Sequence, residues 1–294
     1  MSTQNLNSAK NVIITGANSG IGFQTALELG KLNYSVWLGC RNKEKALKAI
    51  EELKLRVPEG KFYYEHLDLC DLHSVKEFSQ KMNKEIKKLD ILINNAGIMG
   101  VPRTITKDGF ELHMATNYFG HFALTAYLIP LLKKSQQGRI VNVASTDVGS
   151  LTIDDLDFKK NSYLPLTAYA TSKLANLLFT FELNKRLAMT DIKITCVSAH
   201  PGWTNTNLQA HQDAVSNFLM KGVNLFAQTV EKGAIPIVYA ATSEDIKGGK
   251  FYGPGGLLGG SPSICAPPAA ALNEVLSKKL FELSELRTNV QFLL

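Results

Sequence analysis

Long apolar runs are missing from this sequence: nowhere do about 18 apolar residues follow one another, so no membrane-spanning helix is expected. The opening MSTQNLNSAKN lacks the basic, apolar, small-residue order of a secretory signal, and the chain reads as cytoplasmic. Cysteine is scarce. The four present, Cys40, Cys70, Cys196 and Cys265, are scattered, with no CxxC pair and no histidine at ligand spacing, which excludes a disulfide scaffold and predicts reduced thiols and no metal. Charge is not segregated either. The net +6 is dispersed over helices such as NKEKALKAIEELK, where acids interleave with lysines, so a solvated face is indicated rather than a nucleic-acid surface. The same field favours anionic cofactor phosphates.

What is present is the balance of a globular enzyme: 45% hydrophobic and 20% charged residues in 294, enough for one α/β domain spanning 1–294. Strand-type runs recur at NVIITG, SVWLGC, KFYYEHLDL, DILINNAG, GRIVNVAS and IKITCVSAHPG. Helical patterns at 20–32, 43–56, 72–88, 109–134 and 168–189 separate them. This alternation predicts βαβ units and a doubly wound, Rossmann-type parallel sheet. The stretch YGPGGLLGGSPSICAPPAAAL, 252–272, reads as a long loop leading into a last helix near 272–286.

After the first strand comes TGANSGIG, 15–22, where a strand ends and a helix begins. Glycine there lets the backbone turn tightly and approach a pyrophosphate, while unpaired helix N-terminal amides supply donors. Gly16, Asn18, Ser19, Gly20, Ile21 and Gly22 are therefore the candidate phosphate cradle. An NAD site usually carries an acid about 20 residues on. This sequence has LGCRNKEK instead, so Arg41, with Asn42 beside it, is expected to grip a 2′-phosphate and to favour NADP(H). The alternative for Arg41 is an incidental surface cation. Asp68, ending the third strand, is a candidate for the adenine amino group or a cap on the next helix. Asn94, Ala96 and Gly97 of LINNAG are placed on the adenosine side.

Four residues carry the expected chemistry. Tyr169 and Lys173 stand at i and i+4 on one helix face, where a phenol and an ammonium can converge; a lysine merely covering the ring has the same spacing. An adjacent cation favours the phenolate, and so brings a group with pKa of about 10 towards acid-base work. Ser145 is delivered to the same sheet edge by RIVNVAS, and Asn117 is a polar residue among apolar neighbours, either functional or a satisfied core asparagine. His200 in SAHPG reads as structural.

In this order TGxxxGxG, NNAG, Ser, YxxxK and a later PG resemble the short-chain dehydrogenase/reductase superfamily, over about residues 10 to 255. The resemblance implies that Asn117, Ser145, Tyr169 and Lys173 form the catalytic tetrad. In it Tyr169 is the general acid/base, Ser145 binds the substrate oxygen, Lys173 binds the nicotinamide ribose and Asn117 holds a water leading to the lysine. It further implies that Pro201, Gly202 and Thr204 form the nicotinamide-side turn.

Ser145 and Tyr169 lie 24 residues apart, wider than the family's commoner spacing, which implies an extended loop over 146–167. That insert, YATSKLANLLF and GKFYGPGG resemble the retinol-dehydrogenase-like branch, which includes protochlorophyllide reductase. A bulky lipophilic carbonyl or alcohol is the implied substrate. Apolar residues of three segments, 146–167, 203–230 and 252–286, are the expected lid, with Leu151, Ile153, Leu156 and Phe158 in the first and about half of all these residues in ordinary core. Asp154, Asp155 and Asp157 read as capping and solvation rather than as a metal site. A homodimer or homotetramer is an open possibility. The alternatives are a light-dependent protochlorophyllide-type ene reductase and a non-catalytic NADP(H) sensor.

Overall fold

The computed structural model describes residues 10–160, 162–202, 229–255 and 261–294. Strands β1 (Asn11–Thr15), β2 (Ser35–Cys40), β3 (Lys61–His66), β4 (Ile91–Asn94), β5 (Gly138–Val143), β6 (Ile194–Ala199), β7 (Phe251–Gly253) and β8 (Ser263–Cys265) form one sheet in the order β3-β2-β1-β4-β5-β6-β7-β8. Seven of these strands are parallel, and β8 closes the edge antiparallel to β7. The order reverses at β1, so the crevice between β1 and β4 is where an open α/β sheet binds its ligand.

Alternation along the strands feeds two cores. Ile13 faces one of them, while Val12 and Ile14 face the other. The second core is covered by α1 (Gly20–Lys31), α2 (Lys43–Arg56) and α6 (Val230–Thr242), through residues such as Leu27, Leu53 and Ile237. The first is covered by α3 (Leu72–Glu85), α4 (Gly120–Leu132), α5 (Pro165–Leu187) and α7 (Glu274–Thr288), through Phe78, Phe122, Phe179 and Phe281.

Helix starts follow local chemistry. The Asn42, Asp71 and Asn273 side chains accept from Lys45, His73 and Leu276 amides at 2.8, 2.9 and 2.9 Å, capping α2, α3 and α7. Helix α4 is apolar over nearly its whole surface because α7 and the tail beyond it close over it. Phe122 lies 5.2 Å from Phe281 and 5.0 Å from Phe292, ring centre to ring centre.

The sequence pattern and the fold differ in three places. The 252–272 stretch is not one loop: β7 opens it, β8 midway along pairs antiparallel with β7, and a 3-10 turn at Ala269–Leu272 ends it. Helix α6 is absent from the sequence pattern because Gly233 and Pro236 interrupt it; Pro236 lies at mid-helix, where it removes one backbone hydrogen bond, and is itself buried with Ala234 and Ile237. The helix expected over 109–134 is two pieces, a π-helical turn at Met114–Phe119 running into α4. No helix among the described residues is long and apolar enough to cross a membrane.

Candidate active site

The glycine turn is built by close approach. Gly16 and Gly20 have φ of +67° and +56°, which L side chains rarely adopt. A Cβ at Gly22 would stand 2.5 Å from Asn95 Nδ2, and one at Gly16 would stand 2.9 Å from Ala96 Cβ, so the loop after β4 packs directly on the turn. Ser19 occupies the N-cap of α1 without a side-chain capping bond, which leaves the first amides to a ligand. A cradle of this kind, at the positive end of a helix, fits a dinucleotide pyrophosphate.

Arg41 is exposed just past β2, and Gly39 of that strand accepts from the Gly16 amide at 2.9 Å, so the strand end that carries Arg41 lies beside the cradle. The guanidinium also neighbours the Cys70 thiol, which burial and then Asp68 push up to about 11. Asn42 commits its side-chain oxygen to capping α2. Asp68 Oδ1 accepts from the Cys70 amide at 3.1 Å and from its thiol at 2.9 Å, while Asp71 caps the next helix in its stead.

One cofactor assignment is corrected. Asn94 does not present its side chain at the adenosine side: Nδ2 donates to Asn142 Oδ1 at 2.7 Å and to Thr125 Oγ1 at 3.0 Å within the core. The strand is one residue short of the edge there. Asn95 makes the turn instead, donating Nδ2 to the Thr15 carbonyl at 2.8 Å. Ala96 and Gly97 do stand at the edge, and a Cβ at Gly97 would lie 3.6 Å from Lys173 Nζ.

Lys173 is 3% exposed, and its ammonium donates to the carbonyl of Val143, the last residue of β5, at 3.0 Å. Burial lowers its pKa to about 8. Tyr169, one turn earlier on α5, is half-buried, with its ring centre 5.6 Å from that Nζ. Its phenol is pushed up to about 12 by burial and then by the Asp147 carboxylate. Lys173 brings none of the expected lowering here, with its ammonium over the ring and turned to the strand. Ser145 follows β5, and its Oγ accepts from the Asp147 amide at 3.1 Å.

Asn117 is fully buried in the π-helical turn, and its amide is fully used. Oδ1 accepts from the Ile98 amide at 2.8 Å, and Nδ2 donates to the Ile98 carbonyl at 3.0 Å and to Ser172 Oγ at 2.9 Å. Ser172 in turn donates to the Tyr169 carbonyl at 2.6 Å. Asn117 therefore ties the loop after β4 to the helix of Tyr169 and Lys173. Ser172 is a site residue that the motif reading does not single out; its place within YATSK, three residues after Tyr169, is the signal for it.

At the end of β6, Gly202 has φ of +73° and its amide donates to His200 Nδ1 at 3.1 Å. The His200 ring packs 4.9 Å from Phe251, and burial lowers its pKa to about 4, so it is a neutral, structural residue. Pro201 and Gly202 stand at the same edge as Ser145, since Val143 pairs with Ala199. Thr204, with the expected lid residues of 203–228, lies outside the described residues.

The 146–167 insert is ordered by polar ties. Asp157 accepts from Arg287 of α7 at 2.8 Å and from the Glu111 amide at 3.1 Å, and its carbonyl accepts from Arg103 at 3.0 Å. Asp155 accepts from the amide of Lys159. Leu156 belongs to the core, and Leu151 and Ile153 pack against it. Phe158 meets Tyr163 edge-on at 5.6 Å.

Comparison with known proteins agrees with this geometry. A family model described as short chain dehydrogenase matches residues 10–216. The chain is 38% identical to retinol dehydrogenase 14 of Homo sapiens over 301 residues, covering 94% of this chain and 85% of that one. It is likewise 38% identical to retinol dehydrogenase 13 of Mus musculus over 252 residues, covering 83% and 75%. A crystal structure of an uncharacterized protein from Mycobacterium paratuberculosis superposes with a TM-score of 0.81 at 36% identity, covering 97% of this chain and 95% of that one.

Proposed function

We propose, for a chain that belongs to the short-chain dehydrogenase family and to its retinol-dehydrogenase-like branch, that it reduces the carbonyl of a bulky lipophilic substrate with NADPH. When bound, the nicotinamide supplies the hydride. The observation that carries the reading is Lys173 docked on Val143 beneath Tyr169, at the sheet edge shared with the glycine cradle.

The residues divide the work as follows. The cradle from Gly16 to Gly22 holds the pyrophosphate, and Arg41 grips the 2′-phosphate with a charge-assisted fork that an acid at this position would repel. Ser145 Oγ holds the substrate oxygen where negative charge develops. Tyr169 gives its proton to that oxygen. An alkoxide is a far stronger base than a phenolate, so a phenol held near 12 still donates, and it stays protonated throughout the neutral range. The resting phenol is thus in the protonated form that reduction uses. Lys173, charged below about 8, is the cation that receives the phenolate left behind. Asn117 keeps the two helices and the loop after β4 in register around this group.

An NADPH-oxidation screen over aldehydes and ketones of graded size and polarity tests the assignment. Turnover with apolar aldehydes is the expected outcome; binding of NADPH without turnover of any carbonyl would overturn it in favour of a cofactor sensor.

A further inference from the structure

One buried titratable group lies between the two halves of the site and has no part in the mechanism above. His121, on the first turn of α4, is 2% exposed, and both of its ring nitrogens are engaged. Nδ1 lies 3.0 Å from the backbone carbonyl oxygen of Asn117, and Nε2 lies 2.8 Å from Thr15 Oγ1. The direction of each bond follows from the partners. A carbonyl oxygen only accepts, so the proton is on Nδ1. Burial holds the ring neutral, with a pKa lowered to about 4, so Nε2 is a bare acceptor and the Thr15 hydroxyl donates to it.

Thr15 has no capacity left over. Its oxygen accepts from the Asn95 and Ala96 amides, each at 2.9 Å, while its single proton goes to His121. Thr15 is the residue immediately before Gly16, and Asn95 and Ala96 are the residues against which that glycine and Gly22 pack. The chain of bonds therefore runs one way, from the loop that closes the cofactor cradle, through Thr15 and the imidazole, to the backbone of Asn117. That backbone sits in a π-helical turn, a form seen mostly as single turns and frequently at functional sites.

We propose that His121 is a positioning residue with two couplings that act separately: accepting from Thr15 steadies the seat of the dinucleotide, and donating to the Asn117 carbonyl steadies Asn117. The proposal rests on the oxidoreductase reading for the meaning of the two ends, but each coupling has its own variant. Asparagine puts an amide N–H near the place of Nδ1 and nothing at Nε2. Glutamine puts an amide near the place of Nε2 and leaves the Asn117 carbonyl without its donor.

The test compares His121→Asn and His121→Gln with wild type and with Thr15→Val, reading the NADPH dissociation constant by fluorescence and kcat at saturating NADPH with an accepted aldehyde. His121→Asn is expected to weaken NADPH binding by about 3- to 10-fold with kcat within about twofold, as for one lost neutral hydrogen bond, and Thr15→Val, which also strips the Asn95 and Ala96 amides of their acceptor, to weaken it by more than about 10-fold. His121→Gln is expected to bind NADPH within about twofold and to lose about 3- to 10-fold in kcat. Parallel losses in both constants for both His121 variants, or no loss in either, would overturn the assignment and leave His121 a plain core residue. Thr15→Val serves where a His121 variant does not fold. A wild type that binds no dinucleotide overturns the oxidoreductase reading and this proposal together, whereas a wild type that turns over with unsplit variants overturns this proposal alone.

Discussion

Lys173 Nζ donates to the carbonyl of Val143 at 3.0 Å, so the ammonium of α5 is docked on the strand that leads into Ser145. Burial at that dock lowers its pKa from 10.5 to about 8, and this has a sign in stability. Between about pH 8 and 10 the unfolded chain holds a proton there that the folded chain has released. Lys173 therefore contributes a rise in stability with pH over that window, by up to about 1.4 kcal/mol per unit, against the fall that the raised thiols of Cys40, Cys70 and Cys196 contribute, and the contribution is read as the difference between wild type and Lys173→Met. Above about pH 10 stability should fall, because the folded Tyr169 phenol, raised to about 12, keeps a proton that the unfolded one loses, as do the raised phenols of Tyr118 and Tyr163 and the raised thiols. Urea midpoints from pH 7 to 11 measure both limbs; a wild-type profile that superposes on the Lys173→Met profile would count against the buried ammonium.

Tyr169→Phe should leave NADPH binding nearly intact and lower kcat by at least about a hundredfold, the lower range of acid-base catalysis. Steady-state rates with a good aldehyde, alongside fluorescence titration of the cofactor, separate the two effects. A variant that keeps its turnover would take the proton-donor role away from Tyr169.

Arg41→Asp should narrow or reverse the preference for NADPH over NADH. A charged hydrogen bond of about 1.5 to 3 kcal/mol corresponds to roughly ten- to a hundredfold in affinity. Equal dissociation constants of the wild type for the two cofactors would remove the reason for assigning Arg41 to a phosphate.

Arg287→Met breaks the tie from α7 to Asp157 while keeping an apolar stem on Phe110 and Phe119, whose ring centres lie 4.7 and 4.9 Å from the guanidinium. Since both partners retain some exposure, the loss should be about 1 to 3 kcal/mol, below that of a fully buried pair. The insert after Ser145 is held by this tie, so KM for the carbonyl should rise more than kcat falls. Thermal unfolding and initial-rate kinetics on the same sample check it.

For straight-chain aldehydes from three carbons to twelve, kcat/KM should climb more than tenfold before it levels, at about 0.8 kcal/mol for each methylene buried. Sugars and phosphorylated carbonyls should be poor substrates. A flat series would mean that the apolar residues of the insert serve only the core, as Leu156 does.

The sequence made the strands readable as far as β6, because each is a compact apolar run set between helical patterns, with start signals such as Asn42 for α2 and Asp71 for α3. The short strands β7 and β8 were hidden because three residues each, flanked by glycine and proline, carry no period. Within the site, glycines and the Tyr169–Lys173 spacing are local features and were legible. Thr15 and His121 are 106 residues apart, and no local pattern announces a bond across that distance. The raised phenol of Tyr169 was also invisible, since burial and the nearby Asp147 belong to the folded surroundings rather than to the YxxxK spacing.

The aromatic contacts of α7 and Phe292 with Phe122 and Phe179 bear on how the chain is made. On the ribosome, α4 and α5 emerge well before the residues that cover them, so their apolar faces wait in solvent while the rest of the sheet is synthesised. Until Phe281 and Phe292 arrive, that waiting surface is a natural target for chaperones. A stalled or prematurely terminated chain would expose the same surface and would be prone to aggregate, even with every catalytic residue already present.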